Sequence, residues 1–189
     1  VMDLVFRADA STQIGSGHVM RCLALAQAWQ DARGQAIFLI ATEAPAVEER
    51  LQSEGITVKR LNVIPGSIED AKATAREASQ LAASWVVIDG YNFDAEYQRF
   101  LKEAGFQVLE IDDCGDVGHY CADIVLNQNI HASEDLYPSR EPYTQLLLGT
   151  RYALLRREFL QWRGWQRQIP GIARKILVTL GGGDLDNVT

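Results

Sequence analysis

Short apolar runs alternate along the chain with longer stretches of helical periodicity. Leu4-Val5-Phe6 and residues 36–40, 58–61, 85–88 and 108–111 predict strands, with weaker candidates at Ile124-Val125-Leu126 and Leu146-Leu147-Leu148. Helices are predicted between them at about 18–32, 45–54, 67–84 and 94–104. Several of the strand runs are apolar almost throughout, as strands covered on both faces should be. Alternation of this kind builds βαβ units around a mostly parallel sheet, an α/β fold. In the 67–84 segment Ser67 is a suitable N-cap, and Asp70 places a carboxylate in the electropositive first turn. In the 18–32 segment Val19, Cys22, Leu23, Ala26 and Trp29 share one helical face, which reads as a core-facing stripe.

The last helical pattern runs over 151–159 and on through Trp162 and Trp165, before Pro170-Gly171 breaks it. Its arginines, among them Arg151, Arg156, Arg157, Arg163 and Arg167, read as a solvated face. A new unit follows, with a strand predicted at Lys175-Ile176-Leu177-Val178-Thr179-Leu180 and a glycine-rich turn at Gly181-Gly182-Gly183-Asp184. The sequence stops where the next helix should form. The expected division is therefore a first domain over 1–172 and the opening of a truncated second domain over 173–189. A length of 189 residues agrees, being one domain of roughly 150 residues with a remainder.

Composition narrows the function classes. With 47% apolar and 23% charged residues the chain has the make-up of a globular protein. Its 18 basic and 25 acidic residues give a net charge of −7, which argues against a nucleic-acid groove. No apolar run approaches the roughly 20 residues that span a bilayer, so no membrane partner is expected. Val1-Met2-Asp3 passes straight into a strand-like run, which leaves no room for a leader. Three cysteines, an odd number without a dense framework, fit a reducing cytoplasm.

In open parallel sheets ligands sit outside the carboxyl ends of the strands. Arg7 and Asp9 follow the first strand, Asp89-Gly90-Tyr91 the fourth and Asp112-Asp113 the fifth. The densest signal lies at 7–22, where a strand runs into a loop bearing Gly15, Ser16 and Gly17 and then into a helix that begins near His18. Glycines let a ligand approach the backbone, and the helix start offers free N–H groups to an anion. The positive end of the helix dipole disfavours an imidazolium, which suits His18 to accept a proton from water as a general base. Met20 stands where a Gly-x-Gly-x-x-Gly fingerprint needs its last glycine, so a nicotinamide cofactor is not expected. Cys114, His119 and Cys121 lack the paired spacing of a zinc module, and no metal is expected there.

The stretch from Arg7-Ala8-Asp9-Ala10-Ser11 through Gly15-Ser16-Gly17-His18 to Arg21-Cys22-Leu23 resembles the N-terminal motif of the PseG family, UDP-sugar hydrolases of the pseudaminic-acid pathway. Relatives of that family serve spore-coat polysaccharide synthesis. The likeness continues through Ile88-Asp89-Gly90-Tyr91, Ile111-Asp112-Asp113, residues 123–127 and 149–159, and Gly181-Gly182-Gly183-Asp184. The resemblance implies a Rossmann-like N-terminal half of a two-domain, MurG-like glycosyltransferase-B fold. It implies metal-independent, cofactor-free hydrolysis of UDP-2,4-diacetamido-2,4,6-trideoxy-β-L-altropyranose by water attack at the anomeric carbon. The family's catalytic histidine falls on His18 and its active-site tyrosine on Tyr91, while Gly90 stands where the family often has histidine. Arg7, Asp9, Gly15, Ser16, Gly17, Arg21 and Tyr91 are the expected substrate-binding residues. The UDP contacts are expected from the second domain, an intramolecular partner without which the 189-residue chain should be inactive. Two other readings use the same features: a glycosyltransferase with a sugar hydroxyl in place of water, and a non-catalytic sugar-nucleotide-binding domain.

Overall fold

The computed structural model describes residues 3–178. Seven parallel strands form one sheet: β1 (Asp3–Ala8), β2 (Gln35–Ile40), β3 (Thr57–Arg60), β4 (Trp85–Asp89), β5 (Gln107–Ile111), β6 (Ile124–Asn127) and β7 (Gln145–Leu148). Four helices connect the first five strands: α1 (Gly17–Asp31), α2 (Pro45–Ser53), α3 (Ile68–Gln80) and α4 (Ala95–Glu103). The seven strands predicted before residue 150 and all four predicted inner helices are present, within a few residues of their expected ends. Helix α3 stops at Gln80, because Ala82 takes a positive φ of 51° that no helix continues through.

The strand order is β3-β2-β1-β4-β5-β6-β7. The chain moves outward from β1 in one direction through β3, then restarts on the other side of β1 with β4. That reversal makes the gap between β1 and β4 the topological switch point, where an open sheet leaves a crevice at its carboxyl edge.

Period-two alternation sorts the core into two layers. Val5, Ile37, Leu39, Val86 and Ile88 face α3 and α4, meeting Ala71, Ala78, Tyr97 and Leu101. Leu4, Phe6, Phe38, Ile40 and Val87 face the opposite layer, meeting Val19, Cys22, Leu23 and Ala26 of α1 and Leu51 of α2. Phe6 and Phe38 stack across neighbouring strands with ring centroids 4.7 Å apart. The central strands are thus covered on both faces, and Ser67 caps α3 by accepting from the Asp70 N–H.

The helix expected over 151–165 does not form. Only two 3₁₀ turns stand there, Thr150–Tyr152 and Arg157–Trp162. The backbone donors that a helix would need are taken by side chains of the domain body: Leu154 N–H bonds Gln128 Oε1, and Arg157 N–H bonds Gln27 Oε1, both at 2.7 Å. The segment is an extended strap across the end of α1, and the Arg157 guanidinium fastens it to Asp31 and Glu54. Of the strand expected at 175–180, Lys175 to Val178 are exposed and outside any strand, and Thr179 and Leu180 lie outside the described residues. The glycine-rich turn at 181–184 also lies outside them, as do Val1 and Met2.

Candidate active site

Residues 9–16 connect β1 to α1 and close on themselves. Gly15 N–H donates to the Ser11 carbonyl at 2.8 Å, and the Ser11 hydroxyl accepts from the Gln13 and Ile14 N–H groups. Gly15 sits at φ +73°, a conformation that costs glycine nothing. Asp9 anchors the start of this loop: its Oδ1 accepts from Ala41 N–H at 2.7 Å and Thr42 N–H at 3.1 Å, just beyond β2. Ser16 occupies the N-cap of α1 without a side-chain cap bond, and His18 falls in the first helical turn. The ring is thereby carried to the carboxyl edge of the sheet, beside the switch point between β1 and β4.

His18 Nδ1 lies 2.6 Å from Oδ1 of Asp89, the last residue of β4, whose side chain is fully buried. One helical turn later, Arg21 donates to the same carboxylate through Nε at 2.6 Å and Nη2 at 2.7 Å. Its Nη1 donates to both oxygens of Asp113 at 2.6 and 2.7 Å, and Asn129 Nδ2 supports Asp113 from beyond β6 at 2.7 Å. The thiol of buried Cys22 reaches Asp89 Oδ2 at 3.5 Å. Burial alone would raise the Asp113 carboxyl, but the Arg21 guanidinium and the Asn129 amide hold it below the usual carboxylate range. Burial would also weaken the charge on Arg21, and its two carboxylate partners more than reverse this. The network joins α1 to the carboxyl ends of β4 and β5.

Around it lies a cleft with two lobes, one lined by Asp9, Ile14, His18, Asp89 and Tyr91, the other by His18, Arg21, Glu110 and Asp113. Tyr91 packs edge-on against His18 with centroids 4.9 Å apart, and is 63% exposed, so its other faces are open to a ligand. Gly90 has φ +154°, and a Cβ there would lie 3.1 Å from the Phe93 ring, which accounts for glycine at a position where the resemblance anticipates histidine. Glu110 is buried in the wall, with Oε2 accepting from Gln98 Nε2. Burial, then the nearby Asp112, Asp89 and Asp116, push its carboxyl far above the usual range.

Of the expected substrate-binding residues, Asp9 and Tyr91 line the cleft, Gly15 and Ser16 end the loop beside it, and Gly17 opens α1. Arg7 is fully buried instead. It grips Asp70 bidentately through Nε at 2.8 Å and Nη2 at 2.7 Å, and its Nη1 lies 2.7 Å from Asp9 Oδ2 as a close ion contact rather than an aligned hydrogen bond. The sequence marked Asp89 and Asp113 as strand-end residues but carried no sign that Arg21, expected to bind substrate, pairs with both. Asp70 and Glu110 were missed, since one reads as a helix-start carboxylate and the other as an ordinary strand residue. At the far end of the sheet, His119, Cys121 and Glu141 bring ligand-type atoms within 4.8 Å of one another, and Cys114 is not among them. His119 is already partnered there, by Ser139 Oγ at 2.9 Å and Glu141 Oε1 at 3.2 Å.

No family model matches the chain. It is 29% identical, over all of its own length and 63% of the relative's, to the UDP-2,4-diacetamido-2,4,6-trideoxy-β-L-altropyranose hydrolase of Campylobacter jejuni. It is 22% identical to an uncharacterized protein of Methanocaldococcus jannaschii, covering all of this chain and 38% of that one. The chain therefore spans less than two thirds of the length of these curated relatives. Among solved structures, MurG of Acinetobacter baumannii superposes with a TM-score of 0.53 at 20% identity, over 70% of this chain and 44% of that one. Anabaena HepE, solved in complex with UDP and glucose, superposes with a TM-score of 0.50 at 16% identity, over 77% of this chain and 44% of that one. No helix among the described residues is long and apolar enough to cross a membrane. The resemblance to the PseG family is supported along the whole chain, on a Rossmann-like α/β domain that matches the N-terminal half of the glycosyltransferase-B fold.

Proposed function

We propose that this chain is the catalytic-base half of a nucleotide-sugar hydrolase, which takes UDP from a UDP-diacetamido-trideoxy sugar by directing water at the anomeric carbon. The placement of His18 carries the reading. The ring stands at the switch point between β1 and β4 and lines both lobes of the cleft, with Tyr91 against its edge. A histidine so placed accepts the proton of water as its oxygen attacks, while the UDP leaves with the bonding electrons of the glycosidic C–O bond. Tyr91 faces the sugar, and the Gly15–Ser16 turn and Gly17 at the helix start let it approach the backbone, with Asp9 holding that loop in place. The similarity to the Campylobacter jejuni hydrolase supports the substrate class.

A boundary near residue 172, with 173–189 opening a second, nucleotide-binding domain, accords with the match to only 63% of that relative. The test is hydrolysis of the UDP-sugar in oxygen-labelled water by the full-length protein. The expected label is in the free sugar, with unlabelled UDP; label in the UDP phosphate would mean attack at phosphorus and would overturn the role of His18. The folds of MurG and HepE favour one second reading, transfer to a sugar hydroxyl. Turnover that requires an added acceptor would establish it in place of hydrolysis.

A further inference from the structure

Arg21 was expected to bind substrate, yet its donors are turned inward. Nε and Nη2 are spent on Asp89, and Nη1 on Asp113. Its side chain is only 12% exposed. We infer that Arg21 is a positioning residue: through Asp89 it holds His18 with a proton on Nδ1 and the lone pair of Nε2 free toward the cleft. This rests on the reading of His18 as the base, and it adds a mechanism by which the ring is kept ready.

An ionised carboxylate only accepts, so the 2.6 Å contact with Asp89 requires Nδ1 to be the donor. Nη2 of Arg21 lies 3.3 Å from Nδ1, but two donors do not bond, and the shorter 2.7 Å bond of Nη2 is to Asp89. Nε2 has no hydrogen-bond partner among the described residues, and the ring borders both lobes of the cleft. Asp89 is fully buried and needs a cation. Arg21 supplies that cation permanently, so His18 is not obliged to. Asp113, braced by Asn129, keeps the guanidinium from swinging away toward a ligand. The charged and titratable groups that line the cleft with His18 are Asp89 and Tyr91 from β4 and its loop, Arg21 from its own helix, Asp9 from the loop after β1, and Glu110, Asp112, Asp113 and Asp116 from β5 and the loop after it.

This arrangement makes the two neighbours act on His18 with opposite signs. Replacing Arg21 by Gln leaves Asp89 with His18 as its remaining cationic partner, which favours the imidazolium. Replacing Asp89 by Asn leaves the Arg21 charge beside the ring, which disfavours it. The Asn amide must also turn its oxygen to Arg21 and its NH₂ toward Nδ1, which drives the ring proton to Nε2. A residue that merely fills space would not move one titration in both directions.

Nitrogen NMR of the histidine rings in this chain tests the inference without an activity assay, because only His18, His119 and His131 have to be assigned. The expected parent spectrum shows neutral His18 protonated at Nδ1. Asp89→Asn should move the proton to Nε2 and disfavour the imidazolium, whereas Arg21→Gln should favour it. Arg21→Lys should restore much of the parent midpoint. In the full-length enzyme, the acid limb of kcat/KM should follow the same directions, and Asp89→Asn should lower kcat by about 10²–10⁴-fold. A parent ring protonated at Nε2, or midpoints that move the same way in both variants, would overturn the inference whatever the activity. The predicted spectra together with full turnover in His18→Asn would leave the Arg21 role standing and remove His18 as the base.

Discussion

At the scale of single residues, the site pairs one histidine with groups that come from distant parts of the chain. If His18 is the base, His18→Asn in the full-length enzyme should lower turnover by about 10²–10⁴-fold with little change in KM, checked by steady-state kinetics. Glu110 offers a separate test, of stability. Its raised pKa means that the folded state keeps this proton above about pH 4.3, where an unfolded glutamate releases it. Stability from this group is therefore present at low pH and declines as pH rises toward the folded value. Glu110→Gln retains an acceptor for Gln98 and removes the decline. It should melt higher than the parent at pH 7–8, by a few degrees, with no difference below about pH 4 in thermal melts. The sequence made His18, Asp9 and Tyr91 legible because a strand followed by a turn places its own neighbours at the sheet edge. Glu110 was not legible, since burial of a strand carboxylate depends on Gln98 arriving from α4.

Among the elements, β1 and α3 are joined by charge as well as by packing. Arg7 of β1 grips Asp70 of α3, and Asp70 also accepts from Gly66 N–H, Thr74 Oγ1 and Tyr97 OH. Breaking a buried pair of this kind leaves an uncompensated charge, so Asp70→Ala should cost about 3–5 kcal/mol in denaturant melts. Arg7→Met combined with Asp70→Leu should cost much less than the sum of the single changes, which a double-mutant cycle reads directly. The strands and inner helices were legible because their apolar periods agree with their packing. The failed helix at 151–165 shows the limit of that signal. Its apolar and arginine positions are spaced like a helix, but the Gln27 and Gln128 amides take backbone donors at Arg157 and Leu154. Those amides belong to α1 and to the chain just after β6, and no local window contains them.

For the whole molecule, the charge of the cleft decides what it can hold unaided. Arg21 is engaged by Asp89 and Asp113, and Asp112 and Asp116 line the same lobe of the cleft. A diphosphate would meet acidic groups and, among the described residues, no uncommitted guanidinium there. This chain alone should therefore bind UDP no more tightly than millimolar, against which a micromolar constant from calorimetric titration would place the nucleotide site within these residues. The sheet order also fixes when the site can exist. The centre of the sheet sets β1 beside β4, with Leu4 opposite Trp85, so β1, made earlier, waits for β4 to complete its ladder. Parallel pairing across such a sequence separation closes slowly. Until β4 arrives, β1 and β2 present an open edge rich in apolar side chains, the kind of edge that recruits other strands. Aggregation during synthesis should consequently be worst for nascent chains stalled before Trp85, and should fall once Asp89 has emerged.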